Sequence, residues 1–63
     1  MKDKFHLVYK DRHFDFEVDT DGLVWLIDNS KVPSKTNVGQ VKPATNRQEA
    51  EETARLMLYS IGY

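Results

Sequence analysis

Residues 14–28 read FDFEVDTDGLVWLID. Phe14, Phe16 and Val18 alternate with Asp15 and Glu17, the period-two pattern of a half-buried strand. Asp19-Thr20-Asp21-Gly22 interrupts it. Asp side chains bond their own backbone in turns, and Gly takes a positive φ at little cost. A second apolar run of five residues follows, Leu23 to Ile27, with Leu23, Trp25 and Ile27 at one parity. The stretch reads as a β-hairpin, and the rest of the chain is arranged around it.

Toward the N-terminus, Phe5, Leu7 and Tyr9 alternate in the same way, separated from Phe14 by the polar segment Lys10 to His13. This predicts a third strand. Pairing Tyr9 with Phe14 sets Leu7 opposite Phe16 and Phe5 opposite Val18. Pairing Val18 with Leu23 sets Phe16 opposite Trp25 and Phe14 opposite Ile27. All large apolar residues of the three strands except Val8, Val24 and Leu26 then share one face. A one-residue slip would turn a whole strand over, so the pattern bears on parity. A two-residue loop at Asp21-Gly22 would keep parity and move the pairing by two. The other face would carry His6, Val8, Lys10, His13, Asp15, Glu17, Val24, Leu26 and Asp28, with Val8, Asp15 and Leu26 in one row.

Toward the C-terminus the period becomes helical. Ala50, Ala54, Met57 and Ile61 form one apolar stripe, with Leu58 beside them. Thr45 or Asn46 can cap the start, each with Gln48 or Glu49 three residues on. Glu49, Glu51 and Glu52 suit the positive end of the helix dipole, and Gly62 suits its stop. The expected fold is α+β: a three-stranded antiparallel sheet, a long loop, and one C-terminal helix packed on one sheet face. One helix on one sheet is among the few two-layer solutions for a single domain spanning residues 1–63.

Composition narrows the function. The chain has 63 residues, no cysteine and a net charge of -1. Thiolate metal sites, disulfides and cysteine nucleophiles are excluded. No apolar run approaches the ~18 residues of a membrane span. The first residues lack the apolar core of a signal peptide, so the expected location is cytoplasmic, with no membrane partner. No G-x-S-x-G, P-loop, dinucleotide fingerprint or H-E-x-x-H occurs, and the carboxylates fall at exposed positions. The expectation is no enzyme, no catalytic residue and no cofactor.

Metal binding has two candidates. Glu17, Asp19, Asp21, Gly22, Val24 and Asp28 fall near the ligand spacing of a calcium loop, but strand-like flanks replace the helices that such a loop needs. His6, His13 and Glu17 are the other set. There His6 and Glu17 are expected to be cross-strand neighbours, with His13 at the far end of the hairpin. The expectation is a surface ion pair and no metal site.

Charge is segregated. Residues 11–28 hold six acids and one base, whereas residues 29–47 hold Lys31, Lys35, Lys42 and Arg47 and no acid. The connection from Asn29 to Thr45 spans 17 residues, against typical connections of ~4–6. Val32, Val38 and Val41 are expected to pin it, as a short extra strand around Val38 to Val41. The element order and the helix start Thr45-Asn46-Arg47-Gln48-Glu49-Ala50 resemble the small three-strand-plus-helix DNA-binding domains, such as the arm-type domain of phage integrases. That resemblance implies groove reading by the exposed sheet face. Here the central strand of that face offers Asp15 and Glu17, which repel phosphate.

The leading expectation is therefore a non-enzymatic protein-interaction module, an accessory or inhibitory protein of bacterial or phage origin. It would bind a partner, or a second copy of itself, through the exposed sheet face, the acidic hairpin or the outer helix flank. The residues concerned are Val8, Asp15, Glu17, Val24, Leu26, Leu56, Tyr59 and Tyr63. The alternative is a nucleic-acid-binding module using Lys31, Lys35, Lys42 and Arg47 of the basic loop.

Overall fold

Two residues, Lys10 and Asp11, join the first strands, and both have positive φ, 51° and 62°. Such a loop matches the right-handed twist of the strands it joins. In the computed structural model, which describes residues 2–28 and 34–63, it connects β1 (Asp3–Tyr9) to β2 (Arg12–Val18). Tyr9 pairs with Arg12, Leu7 with Phe14 and Phe5 with Phe16. The register is two residues tighter than a Tyr9–Phe14 pairing. Parity survives because the shift is even, so Phe5, Leu7, Phe14, Phe16 and Val18 still share a face. Phe5 and Phe16 stack with ring centroids 5.5 Å apart.

The second turn departs further. Val18 pairs with Val24, Glu17 with Trp25 and Asp15 with Ile27. The loop takes in Leu23, and that one residue turns β3 (Val24–Asp28) over. Val24 is fully buried and Leu26 packs against the core, while Trp25 and Ile27 pass to the other face. Asp19 is the cause. Its Oδ1 accepts the backbone N–H groups of Asp21 at 2.9 Å and Leu23 at 3.0 Å. Its own N–H donates to the Leu23 carbonyl at 3.0 Å, and its carbonyl accepts from Gly22 at 3.1 Å. Leu23 is thereby held in the turn. The expected exposure of Val24 and Leu26 is corrected.

A fourth strand, β4 (Ser34–Thr36), adds to β3, with Ile27 opposite Lys35. The sheet order is β1-β2-β3-β4, each pair antiparallel. The extra strand lies earlier than Val38 to Val41, and Val32 is outside the described residues. Two side-chain amides pin the following segment. Gln40 accepts from the Val24 N–H at 2.8 Å and donates to the carbonyls of Gly22 at 2.8 Å and Lys42 at 3.0 Å. Asn37 donates to the Val24 carbonyl at 2.6 Å and to Gln40 at 2.8 Å. These amides stand where a neighbouring strand would.

Helix α1 (Arg47–Ile61) covers the apolar sheet face. Asn46 caps it by accepting the Glu49 N–H at 2.9 Å, and Glu49 reaches back to the Thr45 N–H at 2.8 Å and hydroxyl at 2.7 Å. Ala50 and Ala54 are fully buried and bring the helix close to the sheet, with Met57 and Leu58 beside them. Gly62, at φ 106°, ends the helix, its N–H donating to the carbonyls of Leu58 and Tyr59. The chain then reverses, and the Tyr63 N–H bonds the Leu58 carbonyl at 3.0 Å. Among the described residues no helix is long and apolar enough to cross a membrane.

Candidate interaction surfaces

The sheet has one face turned away from α1. On it lie Lys4, His6 and Val8 of β1, His13, Asp15 and Glu17 of β2, Trp25 and Ile27 of β3, and Lys35 of β4. Strand alternation and the observed registers place them there. Val8 is 54% exposed. The expected row of Val8, Asp15 and Leu26 is replaced by His6, Asp15, Ile27 and Lys35, because the registers moved.

Polar contacts within the chain occupy much of this face. Glu17 sits between Lys35, with which it makes a close ion pair, and Lys4 at 4.0 Å. The Lys35 hydrogen bond holds the Glu17 carboxyl below its ordinary value, against the opposing effect of desolvation. Asp19, at the edge, accepts the Trp25 indole N–H at 3.1 Å through Oδ2. That bond, followed by the Leu23 N–H, lowers the Asp19 carboxyl. With both oxygens engaged, Asp19 is tied into its turn rather than presented to a calcium ion.

The histidines are closer together than the sequence suggests. His6 Nδ1 lies 2.9 Å from Asp15 Oδ1, and His6 Nε2 lies 2.8 Å from His13 Nδ1. The tighter first register pairs His6 with Asp15 instead of Glu17 and draws His13 back from the hairpin end. Among the described residues no group of three His, Asp or Glu side chains is placed to hold a metal ion. No Ser or Thr hydroxyl there bonds to either imidazole.

The second surface lies where α1 meets the segment 38–44. A cleft of about 260 Å³ opens there, lined by Val38, Val41, Pro43, Glu52, Leu56 and their neighbours. Val41 is 97% exposed and Leu56 67%, with Tyr59 one turn beyond at 72%. Glu49 also lines it, its carboxyl lowered chiefly by the Thr45 hydroxyl. Val41 is missed by reading the helix alone. The signal available was three valines in an otherwise polar connection.

Tyr63 does not join Leu56 and Tyr59. The reversal at Gly62 folds it back on the sheet, where its ring meets Phe14 edge-on at 5.0 Å and the Arg12 guanidinium lies 4.6 Å over it. It packs against the core instead of extending the outer helix flank.

The basic residues are spread out. Lys35 pairs with Glu17 on the open face. Arg47 bonds Asp3 at 3.0 Å and Glu51 at 3.2 Å and stacks over Phe5 at 4.7 Å. Lys42 lines the cleft, and Lys31 is outside the described residues. Lys35 thus meets an acid of the hairpin, whereas Arg47 pairs with acids outside it. No family model, curated protein or solved structure matches the chain.

Proposed function

We propose that this chain is a non-enzymatic protein-interaction module that holds an apolar segment of another protein in the cleft between residues 38–44 and α1. The observation that carries this reading is the juxtaposition of Val41 and Leu56, both strongly exposed along one cleft. Exposed apolar side chains gathered in a concave site favour binding, whereas single scattered ones are ordinary. The Gln40 and Asn37 hydrogen bonds support it further, because they fix the cleft wall in advance and reduce the ordering cost of association. Glu49 and Glu52 outnumber Lys42 at the site, and Glu52 has no hydrogen bond or ion pair among the described residues. The segment bound therefore carries a Lys or Arg facing Glu52.

The test is selection from a random displayed peptide library. Enriched ligands should combine apolar residues with Lys or Arg. Leu56→Asp should weaken them about tenfold or more, in line with losing one buried aliphatic contact of ~1.5–3 kcal/mol. Glu52→Lys should also weaken them, while Val8→Asp on the open face should not. Ligands indifferent to Leu56→Asp would overturn the assignment. A dimer in sedimentation equilibrium, dissociated by Leu56→Asp, would overturn the choice of occupant in favour of a second copy.

A further inference from the structure

We infer that His6 and His13 form a chelating site for a first-row divalent transition-metal ion, with Asp15 as the group that positions it. The site lies on the sheet face away from α1 and rests on nothing proposed for the cleft. The geometry is a chain of three groups. Asp15 Oδ1 lies 2.9 Å from His6 Nδ1, and His6 Nε2 lies 2.8 Å from His13 Nδ1. The two rings are 5.0 Å apart and tilted by 36°.

The carboxylate decides the tautomer. Asp15 is acceptor-only when ionised, so neutral His6 places its proton on Nδ1 and leaves a lone pair on Nε2. This is the carboxylate–histidine arrangement that orients metal-bound imidazoles and makes them more basic. Without a metal, His13 donates its Nδ1–H to that lone pair. When the His13 proton sits on Nε2 instead, the two lone pairs face each other across 2.8 Å, and turning the two exposed rings makes them converge on one ion. The change is a tautomer shift within His13, so binding to the neutral pair releases no net proton. Ligands at ~2.0–2.1 Å from a tetrahedral ion stand about 3.3 Å apart, so the nitrogens must separate by about half an ångström. Both residues are exposed, and their side chains have room to do so.

Imidazole nitrogens select borderline ions such as zinc, copper and nickel over calcium and magnesium. Two protein ligands leave the remaining positions to water, which the exposure of the site admits. On the same face Lys4 and Lys35 are both turned to Glu17, and the negative charge beside the histidines is that of Asp15.

The test is calorimetric titration of the whole chain with zinc chloride at neutral pH, read beside long-range ¹H–¹⁵N spectra of the imidazoles. Saturable one-to-one binding is expected, with zinc-induced shifts at His6 Nε2 and His13 Nδ1. His13→Ala should abolish the binding, and Asp15→Asn should weaken it about 10–100-fold while the circular dichroism is unchanged. Absence of saturable binding, or binding that persists in His13→Ala, would overturn the site. Shifts at His6 Nδ1 in place of Nε2 would overturn the role of Asp15.

Discussion

The backbone N–H of Ala44 donates to the carbonyl of Gly22 at 2.9 Å, and the two residues meet with no space for a side chain at Gly22. A Cβ there would stand 2.7 Å from the Pro43 Cβ and 2.8 Å from the Ala44 carbonyl oxygen. Gly22 also has φ +81°, which costs an L side chain ~1–2 kcal/mol. This contact ties the β2–β3 turn to the segment entering α1. Gly22→Ala is expected to lose about 2–4 kcal/mol, combining left-handed strain with overpacking. Urea unfolding measures the loss, and a change below ~1 kcal/mol would show that the contact yields freely.

The first hairpin carries the opposite opportunity. Lys10 and Asp11 both occupy left-handed backbone, at 51° and 62°. Glycine is the residue preferred at the second position of such a loop. Asp11→Gly should therefore stabilise the protein by about 0.5–1 kcal/mol after the extra entropy of its unfolded chain is counted. Asp11→Val should destabilise it, since β-branched residues fit positive φ worst. Thermal midpoints moving in the same direction for both variants would contradict the account.

These two turns also explain what the sequence did and did not disclose. Phe5, Leu7, Phe14 and Phe16 alternate clearly, and their shared face is legible. Their register is not, because it depends on Lys10 and Asp11 adopting a conformation that their identities only weakly favour. In Leu23 to Ile27 every residue is apolar, so side-chain pattern supports either parity, and the hydrogen bonds of one Asp19 carboxylate decide. That choice sent Val24 inward and Trp25 outward. The tighter first register brought His13 to His6, which no spacing in the sequence signals. β4 has no apolar alternation and is defined by backbone pairing to β3. The helix was the most legible element, because its caps and its Ala50/Ala54 stripe are local features. Tyr63 escaped that reading once Gly62 reversed the chain.

Gln40 offers a test of how the long connection is held. Its amide joins Val24, Gly22, Lys42 and Asn37. Gln40→Ala leaves the Val24 N–H without this acceptor on the side of β3 that β4, paired only with Leu26 to Asp28, does not reach. The expected cost is about 2–3 kcal/mol, since each unsatisfied polar group costs ~1–3 kcal/mol and water can reach some of them. Hydrogen exchange gives a more local reading. The Val24 amide should lose protection, while the Ala54 amide, inside α1, should change only as much as global stability does. Equal loss at both would mean that Gln40 acts on the whole fold and not on this edge.

Acid should weaken the protein through groups that the fold holds ionised. Asp19 is lowered from an ordinary value of 3.8 by the Trp25 indole and then by the Leu23 N–H. Glu17 and Glu49 are lowered from 4.5, chiefly by Lys35 and by Thr45 respectively. For a depressed carboxyl, the stabilisation is fully present above the unfolded value and disappears as pH falls through the folded one. Stability from these groups should accordingly be level from neutral pH down to about 5 and decline below about 4.5. Trp25 is the chain's single tryptophan and bonds Asp19 directly, so its fluorescence reports that carboxylate in the native state. The emission should titrate with a midpoint below 3.8 wherever the fold persists. Asp19→Asn keeps an acceptor for the Leu23 N–H but removes the ionisable group. It should lower stability at neutral pH, flatten the acid decline and abolish the fluorescence titration. An unchanged acid profile in that variant would assign the decline to Glu17 and Glu49 alone and would remove Asp19 from the groups that acid acts on.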